Sequence, residues 1–103
     1  MTQLQEMTEK ALEIMDVYQA AYPDVKMDRD YTPFKITEEW GECLQVYLML
    51  TDRGRQKDMK KTDIQAELQK EVADVLGHLL IFAHNEGIDL EQAMQEKWFK
   101  HLD

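Results

Sequence analysis

The residues of this sequence best suited to chemistry are two pairs of acids, each with two carboxylates three residues apart. Glu39 and Glu42 form the first pair, with Glu38 beside them, and Glu71 and Asp74 form the second. Carboxylate oxygens are the ligands that Mg²⁺ and Mn²⁺ prefer in proteins. If these side chains cluster, a divalent cation is the simplest way to compensate their charge.

The placement of the acids is more informative than their spacing, because 21 of the 103 residues are Asp or Glu. Successive residues of a helix rotate by about 100°, so Glu39 falls inside an apolar stripe and Glu38 and Glu42 flank it. Glu71 lies at the edge of a second stripe, with Asp74 about 60° further round. The first stripe consists of Ile36, Trp40, Cys43, Val46, Tyr47 and Leu50.

A carboxylate buried without a partner costs several kcal/mol or becomes protonated. Two helices that each direct a pair of acids inward therefore predict a shared interior metal site. The alternative is that these acids form the solvated faces of ordinary amphipathic helices. A di-iron site is not favoured, because it needs Glu-x-x-His on two helices and here His78 follows Asp74 by four residues.

The elements that must position these acids are all helical. Only 4 Gly and 2 Pro occur, and apolar residues recur at helical spacing. Capping patterns at Thr62 and Asp89, with Pro23 and Gly87 as terminators, mark helix ends. We expect one all-α domain over residues 1–103, a four-helix bundle with helices at about 2–21, 33–50, 63–86 and 90–101.

Composition narrows the possible functions. The net charge is 12 − 21 = −9, and no basic face for nucleic acid is evident. The apolar run Val75–Ala83 is too short to span a membrane, the first residues do not resemble a signal peptide, and a single cysteine, Cys43, fits a reducing compartment. We therefore expect a cytoplasmic protein whose short chain completes its core by self-association, as a homodimer or homotetramer.

Two further features allow more than one interpretation. The basic loop 53–61 between the second and third helices could close over phosphates, although a plain connector is the favoured interpretation. The aromatic residues could stack on a nucleotide base, but at helical spacing they are more typical of a core or a subunit contact. They are Phe34, Trp40, Tyr47, Trp98 and Phe99.

Three segments in order carry a resemblance to a known family. They are ITEEWGECL at 36–44, EVADVL at 71–76 and GIDLEQAMQEK at 87–97. Together they resemble the MazG-like all-α nucleoside triphosphate pyrophosphohydrolases, over about residues 32–101. The resemblance implies the fold of all-α NTP pyrophosphatases, completed by dimerisation. It also implies Mg²⁺-dependent cleavage of an NTP or dNTP to the monophosphate and pyrophosphate, which removes aberrant or surplus nucleotides.

The resemblance also implies roles for individual residues. Glu38 would support the metal ligands or assist the attacking water, and Lys97 would contact the substrate phosphates. Lys100 does not come from the resemblance, but the positive charge that triphosphate hydrolysis requires makes it a second candidate for phosphate contact. His101 joins this substrate-binding group at the position where the family usually has Asn. The four implied ligands of Mg²⁺, for which Mn²⁺ could substitute, are Glu39, Glu42, Glu71 and Asp74.

Two other functions remain compatible with the sequence. A phosphoribosyl-ATP pyrophosphohydrolase would share the helices and the metal site but act on a different substrate. A non-catalytic helical oligomer that binds a protein partner would carry the same acids as a solvated face. Binding of Mg²⁺ or Mn²⁺ distinguishes this last possibility from the two enzymes.

Overall fold

The computed structural model describes residues 1–102, which form four α-helices and a short 3₁₀ helix. The helices are α1 (Gln3–Ala21), α2 (Tyr31–Leu50), α3 (Lys61–Asn85) and α4 (Leu90–Lys97), followed by the 3₁₀ helix Phe99–His101. No strand occurs among the described residues. The expected all-α class is therefore confirmed.

Local capping chemistry explains where two of the helices begin. The Thr2 hydroxyl accepts a hydrogen bond from the backbone N–H of Gln5 at 3.2 Å, and the Gln5 side chain accepts one from the backbone N–H of Thr2 at 2.9 Å. This reciprocal arrangement is a capping box, which satisfies donors left free at a helix start. At α4 the Asp89 carboxylate accepts from the backbone N–H of Gln92 at 3.1 Å, as its spacing predicted.

Gly87 ends α3 as the sequence predicted. Its φ is +68°, a left-handed conformation that glycine adopts without the steric cost of a Cβ atom. The backbone N–H of Ile88 donates to the carbonyl of Ala83 at 2.8 Å, and that of Gly87 donates to His84 at 3.1 Å. These two bonds satisfy carbonyls at the helix end in the manner of a Schellman motif.

Three predicted boundaries differ from the structure. Helix α3 begins at Lys61, so Thr62 lies within the helix and is not its cap; the carbonyl of Lys60 instead accepts from Asp63 and Ile64, each at 3.0 Å. Helix α2 begins two residues earlier than expected, with Pro33 still in its first turn. The final helix stops at Lys97 and tightens into a 3₁₀ turn, as helix ends often do.

The described chain divides into two compact units. One comprises Met1–Val25 with the residues from Leu80 onward, and the other comprises Lys26–Leu79. In the first unit the buried apolar side chains are Leu80, Ile81 and Ala83; in the second they are Cys43 and Ile64. Helix α2 and the larger part of helix α3 belong to the second unit. The acids that the sequence singled out as candidate metal ligands therefore all lie in this unit. The single-domain organisation stays a prediction.

The connection between α2 and α3 is held by polar contacts to the end of α2. The Lys61 ammonium donates to the Asp52 carboxylate at 2.6 Å and to the carbonyl of Leu50 at 2.7 Å, and the Gln56 amide donates to the carbonyl of Met49 at 3.1 Å. The hydrogen bond from Lys61 holds the pKa of Asp52 below its ordinary value. Lys61 therefore serves to close the connection structurally.

None of the helices in residues 1–102 combines the length and the apolar character that a bilayer-spanning segment requires.

Ile64 anchors the core of the unit that carries the acids, because its side chain is fully buried. We expect Ile64→Ala to lower the free energy of unfolding by about 2–5 kcal/mol, since it removes buried methyl groups and leaves a cavity. The measurement is urea unfolding followed by circular dichroism. The matched control is Ile14→Ala, whose side chain is 68% exposed and which should change stability by less than about 0.5 kcal/mol. Equal losses in the two variants would contradict the assignment of Ile64 to the core.

Candidate metal centre

Helices α2 and α3 bring carboxylates from both predicted acidic pairs together. Glu39 of α2 and Glu71 and Asp74 of α3 each offer an oxygen, and these oxygens lie within 4.8 Å of one another. A second group on α2 joins Glu39 to Glu38 and Glu42 with the same limit on distance. Glu39 belongs to both groups and therefore connects them. All five acids that the sequence singled out thus lie in one continuous cluster, which we call the carboxylate centre.

Glu39 is buried because it lies on the inward face of α2. The residue is 9% exposed, and Cys43, one turn further along the same face, is 3% exposed. Glu38 and Glu42 are exposed at the flanks of this face. Trp40 and Tyr47, which the sequence placed in the same stripe, are instead about half exposed. They lie about 80–100° round the helix from Glu39, beyond the inward face.

Glu71 has an unsatisfied polar atom at the centre. Its Oε2 is buried and has no hydrogen-bond partner. Loss of solvation raises the pKa of Glu71, and the charges of Asp74 and Glu39 raise it further. A buried acceptor without a partner is costly, so this oxygen favours either a proton or a cation.

The pKa values of two neighbouring acids, Glu42 and Asp74, are raised as well. The charge of Glu39 is the main cause that raises the pKa of Glu42. Asp74 is exposed, but loss of part of its solvation raises its pKa, again with a contribution from the Glu39 charge. Like charges held at short range disfavour simultaneous ionisation. Without a cation, the ionised carboxylates of the centre therefore repel one another, and this repulsion costs free energy.

Lys35 contacts the centre, and the sequence reasoning missed it. Its ammonium donates to Glu38 Oε1 at 2.9 Å and lies 3.5 Å from Glu39 Oε1. The hydrogen bond to Glu38 is the main cause that raises the pKa of Lys35. The available signal was its spacing, because a residue three and four positions before two acids shares their side of a helix.

His78 also faces the centre, one turn after Asp74. Its ring lies edge-on to Tyr31 with 6.1 Å between ring centroids, and its Nδ1 is buried without a hydrogen-bond partner. Burial lowers the pKa of His78, while the charges of Glu39 and Asp74 act in the opposite direction. Nδ1 of His78 is therefore a second unsatisfied polar atom beside the Oε2 atom of Glu71.

The predicted phosphate contacts lie elsewhere in the chain. Lys97 is the last residue of α4, and Lys100 and His101 belong to the 3₁₀ helix; all three are exposed. They are part of the unit that contains α1 and α4, whereas the carboxylate centre lies in the other unit. Their contact with substrate stays a prediction.

The chain is similar to a bacterial protein. The chain is 32% identical over 84 residues to the "Uncharacterized protein YvdC" of Bacillus subtilis (strain 168). The match covers 72% of this chain and 79% of the relative. No family model matches the chain, and no solved structure matches it.

The raised pKa of Glu71 predicts a pH-dependent effect of Glu71→Gln. A carboxyl whose folded-state pKa is raised contributes stability below its ordinary pKa of about 4.3, and this contribution is lost as pH rises through the raised value. The amide introduced by Glu71→Gln does not ionise, so the variant does not lose this stability as pH rises. In EDTA, the melting temperature of Glu71→Gln should therefore rise relative to wild type as pH increases from 4.5 to 8.

The control for this series is Glu13→Gln, which removes an exposed carboxylate from α1. Its difference from wild type should stay constant over the same pH range. A constant or shrinking difference for Glu71→Gln would contradict the electrostatic account of the centre.

Proposed function

The chain belongs to the YvdC family, and from its carboxylate centre we propose that it is a cytoplasmic, Mg²⁺-dependent nucleoside triphosphate pyrophosphohydrolase. The observation that carries this proposal is the convergence of Glu39, Glu71 and Asp74, whose oxygens lie within 4.8 Å of one another. The resemblance of the same segments to the MazG-like enzymes supports the choice of substrate.

The residues of the centre fit a divalent cation. Each donor is a carboxylate oxygen, the ligand type that Mg²⁺ and Mn²⁺ prefer, and the Oε2 atom of Glu71 is buried without a partner. The oxygens of the three residues that α2 and α3 bring together lie within 4.8 Å of one another, close enough for one ion to be held between the two helices. Glu39, Glu71 and Asp74 would hold the ion, with Glu42 as the fourth ligand.

The reaction is hydrolysis of the bond between the α-phosphorus and the oxygen that bridges to the β-phosphate. Water attacks the α-phosphorus, and pyrophosphate leaves with the bridging oxygen. When bound, Mg²⁺ supplies positive charge that neutralises phosphate oxygens during this transfer. Glu38 is an exposed carboxylate at the edge of the centre. It would accept the proton of the attacking water, as a positioned general base does.

The remaining roles come from the resemblance, except that of Lys100, which follows from the need for positive charge at the phosphates. Lys97 and Lys100 would place fixed positive charge on the triphosphate, and His101 would donate a hydrogen bond where the family has Asn. The substrate is a ribo- or deoxyribonucleoside triphosphate, and the products are a monophosphate and pyrophosphate. Positive charge of this kind is needed because the chain as a whole carries −9 and would otherwise repel an anionic substrate.

We further propose that the chain is a four-helix bundle of the all-α NTP pyrophosphatase type and that a second copy covers its exposed apolar side chains. On α2, Trp40, Leu44 and Leu48 recur every four residues and are 51%, 40% and 43% exposed. On α3, Val72 and Leu76 are similarly exposed. A recurring apolar face of this kind is typical of an association surface.

The association surface is tested with Leu44→Glu. A charge in this face would be desolvated on association, so the dissociation constant of the dimer or tetramer should rise about tenfold or more. Sedimentation equilibrium measures it. Gln45→Glu is the control, because it adds the same charge to an exposed position about 100° round the helix. A wild-type monomer at every concentration, or equal behaviour of the two variants, would refute the dimer.

The activity is tested with purified protein, Mg²⁺ and a panel of ribo- and deoxyribonucleoside triphosphates, to which phosphoribosyl-ATP is added. Pyrophosphate and orthophosphate are measured separately, and we expect pyrophosphate with the nucleoside triphosphates. Glu39→Gln and Glu71→Gln should each lower kcat/KM by at least about 100-fold, more than the loss of a residue that merely supports a metal ligand. Glu13→Gln should leave it unchanged.

Each other outcome of the panel has a definite meaning. Orthophosphate alone would contradict the assigned bond, and undiminished turnover by Glu71→Gln would remove that residue from the centre. Turnover confined to phosphoribosyl-ATP would identify the alternative enzyme. No turnover, with no heat on titration of Mg²⁺ or Mn²⁺, would favour the partner-binding oligomer.

A further inference from the structure

We infer that Lys35 is a resident counter-cation of the carboxylate centre, and that a divalent cation must displace its ammonium from Glu39 in order to bind. This inference rests on the proposed function for the presence of the metal. It adds a competition between the protein's own cation and the metal, which sets how tightly the centre binds the ion.

The contacts of Lys35 distinguish it from a surface ion pair. Its ammonium is 2.9 Å from Glu38 Oε1 and 3.5 Å from Glu39 Oε1, and its side chain is only 25% exposed. On α3 the pair Lys70–Glu67 has the same three-residue spacing and a distance of 3.2 Å, but the Lys70 side chain is 72% exposed. Lys35 is thus more buried than Lys70. Of these two lysines, only Lys35 also lies close to a buried acid, which is Glu39.

Helix energetics alone do not explain a lysine at this position. Lys35 is the fifth residue of α2, beyond the first turn, so the helix dipole contributes little to its energy. A lysine that precedes a glutamate by four residues is the less favourable order for a helical ion pair. The favourable contacts come from the carboxylates, and the charge of Lys35 also reaches Asp74 on α3, where it opposes the rise in pKa.

The ammonium of Lys35 and a bound metal ion would compete for the carboxylate of Glu39. This residue is shared by the two acidic groups, so a cation that uses the group on α2 and α3 takes an oxygen of Glu39. An ammonium at 3.5 Å from that residue would repel such an ion strongly. Lysine has a flexible four-carbon stem, which lets the ammonium move away toward Glu38 or solvent. The cost of this displacement lowers the affinity of the centre for the metal.

The test is titration of the metal-free, full-length protein with Mn²⁺ at low ionic strength, with free Mn²⁺ measured by its electron paramagnetic resonance signal. Lys35→Met keeps the length of the stem and removes the charge. We expect it to bind Mn²⁺ about three- to tenfold more tightly than wild type, the range that corresponds to losing one competing ion pair. Lys35→Arg keeps the charge and should bind within about twofold of wild type.

Lys70→Met is the matched control. It removes one positive charge from an exposed pair on α3 and should change the affinity for Mn²⁺ by less than about twofold, because surface pairs contribute little. An increase of equal size in Lys70→Met and Lys35→Met would show that overall charge, and not a contact with Glu39, controls binding. That result would overturn the inference.

A thermal measurement supplies a second readout. In EDTA, Lys35→Met should melt below wild type, because the carboxylates lose their counter-cation. At saturating Mn²⁺ the two melting temperatures should converge, since a ligand that binds more tightly stabilises the folded state more. Should Lys35→Met fail to fold, as judged by far-ultraviolet circular dichroism, Lys35→Gln carries the same expectation.

The possible failures are distinguishable. If wild type binds Mn²⁺ and Lys35→Met binds it equally or more weakly, the counter-cation inference is wrong while the metal centre stands. If neither wild type nor any Lys35 variant binds Mn²⁺, both the centre and the proposed function are wrong.

Discussion

Repulsion between carboxylates held together by two helices is the constraint on which this structure depends. Glu39 is almost fully buried, and Glu71 and Asp74 bring their oxygens within 4.8 Å of it. Burial and like charge both disfavour ionisation. The fold therefore maintains an arrangement that costs free energy when no cation is present. Lys35 compensates part of this charge from within α2, and a divalent cation would compensate more of it.

The surrounding structure explains how such an arrangement is held. Ile64 and Cys43 are buried in the same unit and supply apolar packing for the two helices that carry the acids. The connection after α2 is tied by Lys61, whose ammonium contacts both Asp52 and the carbonyl of Leu50. This apolar packing and the polar contacts of Lys61 together offset the repulsion between the carboxylates. Unfavourable electrostatics supported by the rest of a fold are typical of functional sites.

Much of the fold and of the carboxylate centre could be predicted, because both depend on local rules. The rotation per residue of a helix placed Glu39 on the inward face, and the terminator Gly87 acts through its own backbone. Thr62 was wrong as a cap because the carbonyl of Lys60 already accepts the first hydrogen bonds. Lys35 was not predicted, because its role depends on contacts with Glu38 and Glu39 and not on its residue type. Trp40 was wrong as a member of the inward stripe, because it lies about 100° round α2 from Glu39 and is about half exposed.

The most direct test of the central claim is a crystal structure of the protein soaked in Mn²⁺, with anomalous diffraction locating the ion. We predict a peak at bonding distance from carboxylate oxygens of Glu39, Glu71 and Asp74, with the ammonium of Lys35 moved away from Glu39. A peak that is absent from these carboxylates at saturating Mn²⁺, or Glu39 and Glu71 directed apart into solvent, would contradict it.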